Sequence, residues 1–135
     1  MSTYAKPLPV VDEQSRPYWE AARRHELRLP KCDACGHLRV QFERWCPRCG
    51  GETSTWTRMS GRGKVWSHCS FHRNYFKEFE ADLPYGVALV ELEEGPRLIT
   101  NLLGIERTAM RIGMPVEVVF DDVTPEVTLV KFRPK

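Results

Sequence analysis

Apolar and polar positions along this chain follow two periods, and the change falls near Trp56. Before it, residues 12–26 carry helical spacing. Tyr18, Trp19 and Ala22 share one face, Asp12 or Ser15 offers a capping side chain, and Pro17 sits in the first turn, where its missing N–H costs nothing. A helix this short cannot bury two large aromatic rings alone, so its apolar face must dock on the rest of the chain or on a partner. Ahead of it, Pro7 and Pro9 predict an irregular arm over residues 1–11. Residues 37–45 alternate, with Leu38, Val40 and Phe42 on one side, which predicts extended chain.

After Trp56 the apolar runs become short and are broken by glycine, proline and charge. They predict strands at 65–72, 85–91, 97–103, 115–120 and 127–132, with Glu93-Glu94-Gly95-Pro96 as the turn between the second and third. No second helix of comparable strength appears. Five strands with one longer excursion, between the first and second, suit a small closed barrel of the OB type, a β-sandwich being the alternative. The fold class expected is therefore mainly β, organised as arm and helix (1–28), a small module (29–56) and a barrel (57–135).

The module owes its existence to cysteine spacing. Cys32 and Cys35 form one Cys-x-x-Cys pair and Cys46 and Cys49 another, ten residues on. Two intervening residues let both sulfurs of a pair point to one side of a tight turn, and Gly36 and Gly50 stand where such a turn needs positive φ. Four soft thiolates in a closed tetrahedron suit Zn²⁺ and leave no position for a catalytic water, so the site reads as structural; the same cage admits iron. His37 adjoins a knuckle, but four cysteines already satisfy the ion. Cys69, the fifth cysteine, is expected as a small buried core residue.

Charge narrows the function. The net charge is +2, with 12 Lys/Arg against 7 Asp/Glu in residues 1–64 and 8 against 11 in residues 65–135. A general nucleic-acid binder is more basic than this, and its barrel is not the acidic half. No apolar run is long enough to cross a bilayer and the N-terminus lacks the features of a signal peptide, so a cytoplasmic protein is expected, in keeping with cysteines kept for metal. Ser60-Gly61-Arg62-Gly63-Lys64 is glycine-rich but lacks the spacing and following helix of a phosphate loop. There is no nucleophile elbow, His-Glu zinc motif or dinucleotide fingerprint.

Read in order, the aromatic helix, the two knuckles, Ser60 to Val65, the run PYGVALVELEEGPRLI at 84–99 and RIGMPVEV at 111–118 resemble the zinc-ribbon OB-fold family, long catalogued as a domain of unknown function. The likeness runs from about residue 17 to 133. It implies an N-terminal helix, a rubredoxin-like zinc ribbon and a C-terminal OB barrel, acting as a non-catalytic subunit beside thiolases, retro-aldol enzymes or CoA-ester hydratases. Zn²⁺ is then a structural cofactor, a CoA ester a shared ligand, and the partner a thiolase-fold or other acyl-CoA enzyme in a hetero-oligomer. A single-stranded nucleic-acid-binding module and a rubredoxin-like electron carrier are the alternatives.

With that role in view, Tyr18, Trp19, Val40 and Phe42 are candidate partner anchors. Alternation along the first barrel strand puts Val65, Ser67, Cys69 and Phe71 on the core side and Trp66, His68, Ser70 and His72 on the other. The second face, with Tyr75 and Phe76, is the candidate substrate wall: Arg62 and Lys64 would meet CoA phosphates, and His68 and His72 would position the ester by hydrogen bonds. The competing expectation is an ordinary barrel wall covered by the loop 73–84.

Overall fold

The computed structural model describes residues 4–40 and 42–135. The helix, α1 (Arg16–Arg23), is shorter than its pattern predicts. Asp12 and Ser15 set its start through reciprocal bonds, Ser15 N–H to Asp12 Oδ1 (2.8 Å) and Asp12 N–H to Ser15 Oγ (3.2 Å). At the other end the N–H groups of Arg24 and His25 bond back to Ala21 and Ala22, and His25 turns the chain at φ 60°, a left-handed conformation that ends a helix. Ala21 and Ala22 are fully buried, so the helix backbone lies close to the strands beneath it.

Two short antiparallel strands, β1 (Arg28–Cys32) and β2 (Ser54–Arg58), form the base of the cysteine module, with Cys32 opposite Ser54. Both knuckles hang from the end of this ladder. Among the described residues the extended segment expected at 37–45 is reduced to one bridge, Leu38 to Lys31, made by Cys32 N–H to the His37 carbonyl (2.9 Å) and Arg39 N–H to the Pro30 carbonyl (3.2 Å). The chain enters it from the turn that closes Cys32 to His37 and must reach the second turn at Cys46, leaving little length to pair with β1. Gln41, in this segment, lies outside the described residues.

The barrel follows as β3 (Arg62–Phe71), β4 (Tyr85–Leu92), β5 (Arg97–Thr100), β6 (Pro115–Asp122) and β7 (Thr128–Pro134), in sheet order β5-β4-β3-β6-β7. All neighbouring strands are antiparallel. The sheet curls until its outer members meet: Leu102 bridges Phe132, and Leu103 N–H donates to the Phe132 carbonyl (2.8 Å). β5 ends at Thr100 rather than 103 because the chain leaves β4 there to make this closure. The five-strand OB-like architecture read from the sequence is thus present, behind the helix and the cysteine module.

Gly61 explains part of the glycine-rich approach. Its φ is 80°, and a Cβ there would stand 2.5 Å from Val118 Cγ1, so the position is glycine because β6 passes against it. The core is continuous between module and barrel. Val65, Val90, Leu92, Val116 and Phe132 fill the interior, and Leu27, Leu29 and Met59, which flank or lie in the module's ladder, pack into the same cluster.

One irregularity changes the expected faces. Val65 pairs with Val90 and Ser67 with Leu89, so Trp66 is an extra residue, a β-bulge. The side-chain phase slips by one: beyond Trp66 it is His68 and Ser70 that pair with Ala88 and Gly86, His68 staying exposed at this end of the strand, while Ser67, Cys69 and Phe71 join Leu89, Val87 and Tyr85 on the other face. Cys69 is accordingly exposed, not buried as expected, and the grouping of Trp66 with His68, Ser70 and His72 on one face does not hold.

Candidate functional site

Both knuckles take the same local form. The Gly36 N–H bonds to the Cys32 carbonyl (2.9 Å) and the Gly50 N–H to the Cys46 carbonyl (2.8 Å), with φ of 78° and 79° at the two glycines. The four sulfurs lie within 4.8 Å of one another, Cys32 to Cys49 at 3.5 Å and Cys35 to Cys46 at 3.7 Å. A tetrahedron of sulfurs about 2.3 Å from zinc has edges of about 3.8 Å, so this cage fits the ion. Gly51 completes it: a Cβ there would press to 3.3 Å of both Cys32 Sγ and Cys49 Sγ.

Sulfurs this close resist becoming thiolates together. The Cys35 backbone N–H helps hold the Cys32 thiol down to about 6. Cys46 is also lowered: burial opposes its charge, but the N–H groups of Arg48 and Cys49 outweigh it. Cys49, although the Gly51 N–H favours its thiolate, is pushed up to about 12 by the neighbouring sulfurs, first Cys32. A divalent cation removes that conflict, and with four protein sulfurs around it no coordination position is left for chemistry. His37 stands outside the sulfur cluster.

The candidate substrate residues are not brought to one place. Arg62 and Lys64 lie at the opposite end of β3 from Phe71, nine and seven residues, or about 30 and 23 Å of extended chain, away. Both are paired with carboxylates, Arg62 Nε to Glu93 (3.1 Å) and Lys64 Nζ to Glu91 (3.8 Å). Trp66 lies on the outer wall under the Arg97 guanidinium, 3.9 Å from its ring centroid. Tyr75 and Phe76, in the loop before the 3₁₀ turn Lys77–Asp82, are exposed. Around them Phe71 contacts Tyr75 and stacks on Tyr85. His68 and His72 are exposed at the end of β3.

The helix aromatics turn inward. Tyr18 packs at 5.0 Å against both Trp19 and Phe42, and Phe42 lies 5.4 Å from Trp56, so this chain of rings fastens α1 to the cysteine module. Burial holds the Tyr18 phenol above its ordinary range. Tyr18, Trp19, Val40 and Phe42 are half-buried rather than exposed. Among the residues that sequence reasoning passed over are the exposed apolar Ile99 (79% exposed), beside Leu89, and Trp45 (53%), and the buried charge Arg39 (6%). Ile99 was legible as the outward partner of an alternating edge strand. Arg39 was not, because in its alternating run it sits on the polar side.

Fold and sulfur cage together define a zinc-ribbon OB-fold protein. Residues 19–54 match the family model described as the ChsH2 rubredoxin-like zinc ribbon domain, and residues 56–121 that of the ChsH2 C-terminal OB-fold domain. A DUF35 domain-containing scaffold protein of Pyrococcus furiosus is 36% identical over 126 residues, covering 87% of this chain and 90% of that one. The chain belongs to the DUF35 family. A probable enoyl-CoA hydratase alpha subunit of Thermomonospora curvata is 40% identical over 129 residues, 96% of this chain; the chain spans 40% of that relative's length. Among solved structures, one described as Ltp2-ChsH2(DUF35) aldolase superposes with a TM-score of 0.83 at 39% identity, over 94% of this chain and 98% of the other.

Proposed function

We propose that this chain is a non-catalytic accessory subunit of an acyl-CoA-processing complex, binding a thiolase-fold enzyme of thiolase or retro-aldol type and helping hold or shield the CoA ester. The observation that carries the reading is the likeness over nearly its whole length to the DUF35 chain of a structure described as an aldolase assembly. The hydratase alpha subunit similarity points the same way. The metal centre is structural in this reading, and the partner supplies the catalytic groups. For contact with the enzyme, the outer wall of β3 to β5 offers the exposed Trp66 and Ile99. Trp19 and Val40 contribute their exposed edges, and Tyr18 and Phe42 fix the helix that carries Trp19. Exposed apolar groups of these types are the usual anchors of interfaces.

Arg62 and Lys64 lie within ion pairs, so CoA phosphates would have to displace Glu93 and Glu91 to reach them. The stronger substrate candidates are His68, His72, Tyr75 and Phe76, all exposed in or just after the loop-side half of β3. The test measures assembly and turnover separately. The isolated chain is expected to show no thiolysis, aldol cleavage or hydration of acyl-CoA esters, and robust turnover by it alone refutes the role. In the assembled complex, His68→Ala and Tyr75→Ala should raise KM or lower kcat with assembly intact. Unchanged constants remove that end of β3 from the substrate path.

A further inference from the structure

A cavity of about 540 Å³ opens between the start of α1 and the cysteine module. Its walls include Arg39, Arg44, Phe42 and Trp56, with Glu13, Glu43 and Glu52 beside them. Arg39 is 94% removed from solvent (6% exposed), yet among the described residues its guanidinium has one acceptor, the Glu43 carbonyl at 3.1 Å from Nη2. Among the described residues the buried Nε–H has no hydrogen-bond partner and no carboxylate forms an ion pair with the group. A guanidinium has five donors arranged to meet a planar carboxylate two at a time, and a buried charge without a counter-ion is costly. Against two of the lining residues, Trp45 lies exposed beneath the Arg44 guanidinium (5.5 Å) and donates its indole N–H to Glu52 (2.9 Å).

We propose that this cavity is a second docking site, built to receive an acidic side chain from the partner enzyme on Arg39. The proposal rests on the accessory-subunit reading above for the identity of that partner. Charge says why the carboxylate comes on a polypeptide. Glu13, Glu43 and Glu52 repel a free small anion, whereas a segment that brings Lys or Arg beside its Asp or Glu satisfies the glutamates while its carboxylate reaches Arg39. Arg44, which lines the cavity, and Trp45 beneath it are of the residue types that dominate binding at interfaces. The site is on the helix and ribbon, away from the outer barrel wall, so a partner using both would grip the chain at two places.

The test needs no enzyme and reads Arg39 directly. In the full-length, zinc-loaded chain labelled with ¹⁵N, the arginine Nε–H resonances are followed while a blocked Lys-Glu-Lys tripeptide is added, with blocked Lys-Gln-Lys and sodium acetate as separate titrants. Arg39→Lys assigns the resonance by removing it. The expected result is a saturable shift of the Arg39 Nε–H with the glutamate peptide, half-complete at a concentration about tenfold below that for acetate, and no saturable shift with the glutamine peptide. No saturable shift with the glutamate peptide, or an equal one with its glutamine analogue, overturns the site. Acetate binding as tightly as the peptide overturns the polypeptide source. None of these outcomes bears on whether the chain assembles with an acyl-CoA enzyme, so failure here leaves that reading standing.

Discussion

Removing one metal ligand should unfold the barrel as well as the ribbon. Cys46 is nearly fully buried in the sulfur cage, and Cys46→Ser replaces a thiolate with a hydroxyl that is a poor ligand for zinc. Among the described residues of 28–58 the regular structure is a two-strand ladder and one bridge, too small to order itself without the ion, so metal binding supplies its folding free energy. The damage spreads because Leu27, Leu29 and Met59 are all at least 95% buried in the cluster that includes Val65, Val90 and Phe132. Each such side chain contributes about 1.5–3 kcal/mol by leaving water, so exposing all three removes roughly 5–9 kcal/mol. That is comparable with the whole stability of a small domain, about 5–15 kcal/mol. The assay pairs a colorimetric zinc count with near-ultraviolet circular dichroism and a thermal scan. Wild type should be colourless with one zinc per chain and a single cooperative transition; the variant should lose both zinc and transition. A zinc-free variant that keeps the barrel's aromatic signal and a cooperative melt would refute the argument that module and barrel share one core. Full metal retention would refute the ligand assignment.

Phe132→Ala should cost about 3–5 kcal/mol in chemical denaturation, because the ring is fully buried where β7 closes on Leu102, and a loss below about 1 kcal/mol would mean the barrel is not closed there. Asp122→Asn should give a pH-dependent deficit. Thr128 and then His25 hydrogen-bond to the Asp122 carboxylate and lower its pKa below 3.8, so its contribution is complete above that value and is lost as the pH falls through the lowered folded-state pKa. The melting temperatures of variant and wild type should therefore differ most near neutrality and converge in acid; a gap that widens below pH 4 would contradict the sign.

The sequence by itself determined the metal site, the type and order of the main elements, and the barrel strands to within a few residues, because each rests on local chemistry. Two Cys-x-x-Cys-Gly knuckles set their own turns through Gly36 and Gly50, and the residues of β4 and β6 carry enough apolar and β-branched character to define strands wherever they are placed. What the tertiary structure decided was which way side chains face. One added residue at Trp66 reverses the side of every residue after it in β3, exposing Cys69 and setting His68 opposite Ala88, and no composition or spacing in the run announces a bulge. Tyr18 and Phe42 are amphipathic signals that fit an interface or an interior equally well; only the approach of α1 to the ribbon packed the two rings against each other, half-buried. Arg39 is the strongest case. Alternation places it on the polar side of its segment, and it is the packing of helix, ribbon and barrel around it that shut a charged group away from water beside an open cavity.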